Sequence, residues 1–386
     1  IYMYIFYLSP YLSTLGWDES LKGLFFAAFG AVGIIIAPIV GTISDKVGRF
    51  KVIIAGIILE ILALTGYILF TSTPILFALR VVSAVAFNAV IISAMSRIND
   101  VIDDNHNRSR VNGLFHSLIS VAIVFAPLLG GAIADNLGYT RLFQAALFTM
   151  IGILFAILVH DIIWYNDKKV PHRDKRKFKA HDMNPVRHIR KFLQVKELRT
   201  MAIVGLFINF TLPTTILVFP YIILDKLGLT NSHLSIVLFL IGFAHLFQFY
   251  FGKLADRIGK GRGIIIGVAV NGLSLIALFF APSFEALLLI VLIRSAGGSL
   301  WNISAWSYMS DIGEKYNIEG KVVGSYTSLG RISSTISFVI TGALLATWQD
   351  HIFLLYGIIC VAPLFFVAKI LLRPTTEDAG EEAVDE

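Results

Sequence analysis

The chain has 386 residues, of which 56% are hydrophobic and only 15% charged, where soluble domains carry about a quarter charged residues. That balance excludes a water-soluble globule. The net charge is +6, and the single cysteine, Cys360, excludes any disulfide within the chain.

The apolar blocks run at 1–15, 20–42, 50–71, 74–97, 110–134, 140–164, 199–224, 231–254, 262–281, 284–309, 320–346 and 350–372. Each is near the length of about 20 residues that crosses a hydrocarbon core about 30 Å thick. They are apolar all round rather than along one stripe, and they lack the short alternating pattern of a barrel. About twelve transmembrane helices are therefore predicted, in an all-α integral membrane protein. The organisation is a six-helix bundle over 1–164, a basic linker over 165–198, a second bundle over 199–372 and an acidic, disordered tail over 373–386. Ile1 already lies in an apolar run, so a truncated first span is expected.

Orientation follows from Lys and Arg. Loops after even-numbered spans hold Lys46, Arg49, Lys51, Arg108, Arg110, Lys253, Arg257, Lys260 and Arg262, and the linker adds a polybasic run. Opposite loops hold only Lys22, Arg141 and Lys226. Both termini and the linker are expected on the cytoplasmic side of the cell membrane. Beside a helix, the polybasic run fits anionic lipid headgroups rather than nucleic acid. Within it, residues 186–196 fit a short amphipathic helix at the membrane face.

The loop after the second span, GTISDKVGRFK from Gly41, returns after the eighth as GKLADRIGKGR from Gly252. Gly41 and Gly252, Asp45 and Asp256, and Gly48 and Gly259 are each 211 residues apart, as are Gly113 and Gly324, and Asp100 and Asp311. Two parallel repeats are the simplest cause. Within the loop, Gly41 and Gly48 allow close approach and a tight turn. Asp45 is a carboxylate at a helix end, where a neighbouring helix N-terminus would attract it, Lys46 and Arg49 can pair with carboxylates or lipid phosphate, and Asp100 is a candidate partner for Arg49. In the second copy Asp256, Arg257 and Asp311 take the matching places. The alternative reading of these charges is that they only enforce topology.

Twelve spans in two halves, a basic central loop and this doubled loop together resemble the major facilitator superfamily, over about residues 1–372. The resemblance implies a secondary transporter working by alternating access, with the doubled loop as a cytoplasmic latch. The fifth span reads GLFHSLISVAIVFAPLLGG. Through Gly113, Ala122, Ala126, Pro127, Gly130 and Gly131 it is similar to the antiporter signature of the family's drug:proton exporters, with alanine at two glycine places. In the second half Phe338 stands where the proline would be. That contrast favours export, and the other reading is ordinary small-residue packing.

Arg80 matches the family's helix-four arginine, implicated in proton movement, although Ser83, Ala84 and Ala86 depart from the expected neighbours. Arg294 opens a similar stretch in the tenth span. Intramembrane arginines usually face a cavity or a partner. Glu60 is the only acidic residue deep in an apolar block, and burial disfavours a charged carboxylate, as a proton-coupling site requires. His116 and His245 are further titrating candidates, and Arg331 is placed to meet an anionic substrate or a carboxylate. By the resemblance, the first, fourth, seventh and tenth spans line a cavity for a small-molecule substrate. Tyr4, Tyr7, Tyr11, Asn88, Asn209, Phe210, Pro213, Trp301, Asn302 and Trp306 are their candidates, suited to a greasy, weakly polar ligand.

The sequence has no phosphate-binding Gly-x4-Gly-Lys-(Ser/Thr) loop, no His/Cys metal cluster and no Gly-x-Ser-x-Gly elbow. An enzyme is not expected, and neither is a cofactor beyond a proton or other ion gradient. Open alternatives are a carrier for a sugar or organic anion, and a membrane sensor on the same scaffold. A monomer is expected.

Overall fold

The computed structural model describes residues 1–101, 105–164, 185–316 and 319–372; side chains at 99–101, 105–117, 160–164, 185–188, 191, 319–321 and 323 are not among those described. The described residues form helices and turns, with no strand. A 3₁₀ turn, Ile5–Tyr7, leads into α1 (Leu8–Thr14). Then come α2 (Glu19–Val47), α3 (Arg49–Leu69), α4 (Thr73–Val101), α5 (Asn105–Leu137) and α6 (Tyr139–Trp164). The short helix α7 (Pro185–Gln194) precedes α8 (Lys196–Phe210), α9 (Asn231–Phe243), α10 (Gln248–Ile258), α11 (Lys260–Phe279), α12 (Phe284–Lys315), α13 (Glu319–Trp348), α14 (His351–Val361) and α15 (Leu364–Leu371). Among the described residues, 11 helical stretches are long and apolar enough to cross a membrane. α1 with its preceding turn is shorter. The linker residues 165–184 and the tail from 373 lie outside the described residues.

Local signals set the ends of these helices. The Asp18 carboxylate accepts from Leu21 N (2.7 Å) to cap α2, and Ser283 Oγ accepts from Ala286 N (3.2 Å) to cap α12. Gly48 (φ +108°) separates α2 from α3, and Gly259 (φ +88°) separates α10 from α11. Gly138 (φ +83°) and Gln349 (φ +45°), also 211 residues apart, stand between α5 and α6 and between α13 and α14. The repeat is thus carried by backbone conformation as well as by sequence. Even a non-glycine residue holds the left-handed geometry that the turn requires.

Two spans are broken. Beyond α8 the seventh continues through Pro213 and Pro220 as two π-helical turns, Thr214–Val218 and Tyr221–Lys226. Each proline removes a backbone donor and disrupts the regular ladder. The eighth span has no proline there, yet it tightens to a 3₁₀ turn at Ala244–Phe247 between α9 and α10. Two serines of α12 enter at the break. Ser295 Oγ accepts from Ala244 N (3.1 Å) and donates to Ile241 O (2.8 Å), while Ser299 Oγ donates to Ala244 O (3.1 Å).

The chain divides into two compact units. The first contains 1–184 with 212–239 and 334–349; the second contains 185–211, 240–333 and 350–386. In the first, α3 packs on α4 and α6, and α2 packs on α4. Gly56 lets α3 approach Ala86 and Ala89. In the second, α11 lies against α12 and α14, where a Cβ on Gly267 would stand 2.8 Å from Gly297 O and one on Gly357 would stand 2.7 Å from Gly272 O. Phe192 of α7 is buried in this unit's core with Leu198, Met201, Trp301 and Tyr308, which anchors the amphipathic helix while Arg190 stays exposed.

Candidate functional site

The polar centre of the first unit is assembled from three helices. Tyr4 Oη donates to the Glu60 carboxylate of α3. Arg80 of α4 stands among Tyr4, Glu60 and Tyr67, and Ser83 lies one turn further along α4 beside Glu60. All five residues are buried; Glu60 and Arg80 are each 2% exposed, so this is no snorkelling pair at the interface. Three rings of α2 surround the guanidinium: its Cζ lies 5.1 Å from the Phe25 centroid, 4.9 Å from Phe26 and 4.4 Å from Phe29. Desolvated cation–ring contacts of this kind are worth about 2 kcal/mol. Polar capacity remains unused: Glu60 Oε2, Tyr67 Oη, Ser83 Oγ, Arg80 Nε and Arg80 Nη1 have no hydrogen-bond partner among the described residues.

The same unit joins the first repeat to parts of the second. The Asp135 carboxylate at the end of α5 caps α9: Oδ1 accepts from Asn231 N (2.8 Å) and Nδ2 (2.9 Å), and Oδ2 accepts from Ser232 N (2.7 Å). Tyr139 Oη adds a bond to Asn231 Oδ1 (3.1 Å). Nearby, a Cβ on Gly131 would stand 2.6 Å from Asn231 O, so the glycine is what lets α5 touch α9. Gly130 faces Met3 and Tyr7 of the first span, and Tyr7 Oη donates to Pro127 O (2.5 Å). Along α2, Gly23 meets Phe338 and Gly342 of α13, and Phe26 stacks on Phe338 with centroids 5.7 Å apart. Lys22 is a correction to its reading as a loop cation. It is 2% exposed, paired with Glu19, bonded to Ser13 Oγ (2.6 Å) and close to Asp225 of the seventh span. Those partners make its burial tolerable.

In the doubled loop, Asp45 pairs with Arg49 within the first copy. In the second, Lys260 Nζ lies 2.5 Å from Asp311 Oδ2. Lys260 and Asp311 stand 211 residues beyond Arg49 and Asp100, so the second copy makes the contact expected of the first, where Asp100 falls outside the described side chains. Lys46, Asp256 and Arg257 are exposed. The close approach expected of Gly41 is not seen: among the described residues a Cβ there would meet nothing within 4 Å, and at Gly252 only Ile303, at 3.7 Å.

Arg294 Nε donates to Asn271 Oδ1 (3.2 Å) inside the second unit. His245 occupies the broken turn of the eighth span, with Nδ1 buried and without a hydrogen-bond partner among the described residues. Arg331 is half-buried on α13. Gly113 and His116 fall outside the described side chains, while Ala122 is exposed on α5 and Ala126 half-buried. Of the cavity candidates, Tyr11 donates to Tyr67 O (3.4 Å), Asn88 to Ala84 O (2.8 Å) and Asn209 to Gly205 O (2.7 Å). Trp301 is packed in the second unit's core, and Asn302 is half-buried. Asp135, Asn231, Phe26 and Tyr67 went unnoticed in the sequence, and Lys22 was read only as a loop cation. Asn231 opens an apolar run and so carries a helix-start signal, but its partner on another span leaves no local trace.

Helices of membrane-crossing length, glycine-mediated contacts between helices distant in sequence and a buried ionisable centre describe a polytopic membrane protein. The model of the Major Facilitator Superfamily matches residues 1–246 and 201–386, and the chain belongs to that family. It is 26% identical to the Quinolone resistance protein NorA of Staphylococcus aureus over 341 residues, covering 87% of this chain and 84% of the relative. It is 24% identical to the class H Tetracycline resistance protein of Pasteurella multocida, covering 92% and 88%. Among solved structures, a point mutant of the nucleoside transporter NupG superposes with a TM-score of 0.78 at 13% identity, covering 96% of both chains. A D-xylose-proton symporter gives 0.71 at 15% identity, covering 92% and 87%. The structural likenesses establish the fold; the chain is a multi-pass membrane transporter and not an enzyme.

Proposed function

We propose that this transporter exports small amphipathic compounds in exchange for protons. The observation that carries the reading is the buried Glu60, held by Tyr4 and faced by Arg80 in its aromatic surround. Relatives whose names record quinolone and tetracycline resistance support the substrate class, as does the fifth-span motif, whose Gly131 sits in the contact between α5 and α9.

In this reading the basic loops face the cytoplasm of the cell, both termini lie on that side, and the linker rests on anionic headgroups. The protein works as a monomer on a small-molecule substrate, drawing on an ion gradient. The α2–α13 and α5–α9 contacts, at the opposite end, close the outer face. Their opening exposes the substrate path outward. Glu60 takes up a proton from outside and releases it inside, and Arg80 compensates the carboxylate charge while the proton is off.

Sealed proteoliposomes with an imposed pH gradient test this. A fluorescent quinolone or tetracycline is expected to dissipate the gradient and be pumped against its own. Glu60→Gln is expected to abolish uphill flux and spare exchange. Undiminished uphill flux in that variant removes Glu60 from the mechanism, and drug-independent gradients in the parent remove drug:proton exchange.

A further inference from the structure

Phe26 belongs to two constellations at once. Its ring centroid lies 4.9 Å from Arg80 Cζ in the polar centre, and the same ring stacks on Phe338 of α13 with planes 25° apart. Phe25 and Phe29, the other two rings at Arg80, make no described ring contact with α13: Phe25 meets Phe26, Trp17 and Phe77, and Phe29 meets Phe87. Phe26 is 2% exposed. One turn before it, Gly23 touches Phe338 and Gly342; one turn after it, Gly30 touches Thr335. The α2–α13 seam is therefore continuous through Phe26, and whatever parts these helices must take a neighbour from it.

We propose that Phe26 is a positioning residue that ties closure of the α2–α13 seam to the charge state of the Arg80–Glu60 centre, with Phe338 as its counterpart across the seam. The inference rests on the reading that Glu60 exchanges the coupling proton. The physics is local. A ring face attracts the guanidinium only while it lies over it, at about 6 Å or less. The stack on Phe338 fixes the plane of the Phe26 ring while α13 is in place. When α13 leaves, that ring is free to turn, the guanidinium loses one of its three faces, and Arg80 is drawn more strongly to the Glu60 carboxylate. Linkage makes the effect reciprocal: if seam opening favours one charge state of Glu60, that state favours opening by the same factor. The other groups facing Glu60 are Tyr4 from the first span and Ser83 from α4, with Tyr67 on α3 beside Arg80. None of them touches α13 in a described ring contact or hydrogen bond. α6 contributes Phe143, an uncharged ring, against Tyr4 and Tyr67. Phe26 is thus the contact through which the seam reaches this centre. Phe338 also gives a physical use to the departure from proline in the second copy of the fifth-span motif.

The test reads the seam directly and needs no substrate. In a Cys360→Ser background, Ser20→Cys on α2 and Thr347→Cys on α13 carry nitroxides, and their distance distribution is measured in nanodiscs at pH 5 and pH 8. The parent is expected to change its ratio of near to far populations by about fivefold or more between the two pH values, and Glu60→Gln to remove that change. Phe26→Leu and Phe338→Leu, which keep apolar bulk but no ring, are expected to remove it too, whereas Phe26→Tyr retains it. Should one leucine variant fail to fold, the other decides, because the stack is broken from opposite sides. A pH response in both leucine variants equal to the parent's, with Glu60→Gln unresponsive, overturns the role of Phe26 and leaves Glu60 in place. A parent without a pH response, or a Glu60→Gln variant that responds like it, overturns the Glu60 reading and this inference with it.

Discussion

At the scale of single residues, the buried charges were the most visible part of the site, and their partners the least. Glu60 stands out as the one acidic residue deep in an apolar block, because an unpaired carboxylate there is costly and so demands a reason. Its donor, Tyr4, lies 56 residues away and is one of many aromatic residues in the first span. The rings around Arg80 come from consecutive turns of α2, where Phe25, Phe26 and Phe29 look like any lipid-facing run. Pairing across helices depends on rotation about each helix axis, which spacing within one span does not encode. Tyr4→Phe keeps the ring and removes the hydroxyl, leaving the Glu60 carboxylate without its described donor. A loss of about 1–3 kcal/mol is expected, measured as a lowered melting temperature in detergent. An unchanged melting temperature would show that the Tyr4–Glu60 bond contributes nothing to the folded state.

At the scale of elements, the prolines at the breaks of the seventh span, which lack a backbone donor, were not read as breaks, whereas the span pattern was legible because hydrocarbon thickness fixes block length. The 3₁₀ break of the eighth span was not. Its sequence, IGFAHLFQFY, contains nothing that stops a helix. The break arises where Ser295 and Ser299 of α12 take over backbone groups of Ile241 and Ala244. Ser295→Ala strands a buried donor and acceptor there, which costs about 1–3 kcal/mol each when no substitute is found. The expected outcome is a lowered melting temperature and faster amide exchange confined to residues 241–248. Exchange equal to the parent's in that segment would mean the serines follow the break rather than hold it. The turns teach a related lesson. Gly48 and Gly259 were readable from the doubled motif, whereas Gln349 at φ +45° shows the turn persisting where the glycine signal has been lost.

At the scale of the whole molecule, the constant offset of 211 residues revealed the duplication before any coordinate. The same offset relates the Lys260–Asp311 pair to Arg49 and Asp100, although the sequence reading singled out Arg257 and not Lys260 in the second copy. What it did not reveal was that 212–239 and 334–349 would pack in one compact unit with the first repeat. Those contacts rest on glycines meeting backbone and on Asp135 capping a helix of the other repeat, features that become meaningful only when two distant segments are brought together. A carrier that exposes its site to each side in turn must break and remake them. The sharpest measurement is to fix that contact covalently. In a Cys360→Ser background, Asp135→Cys and Ser232→Cys are oxidised to a disulfide across α5 and α9, and drug-driven collapse of an imposed pH gradient is followed in proteoliposomes. Collapse is predicted to stop on oxidation and to return on reduction with dithiothreitol. Undiminished collapse in the fully crosslinked protein would mean that substrate and protons cross without parting these helices, and alternating access through this contact would be contradicted.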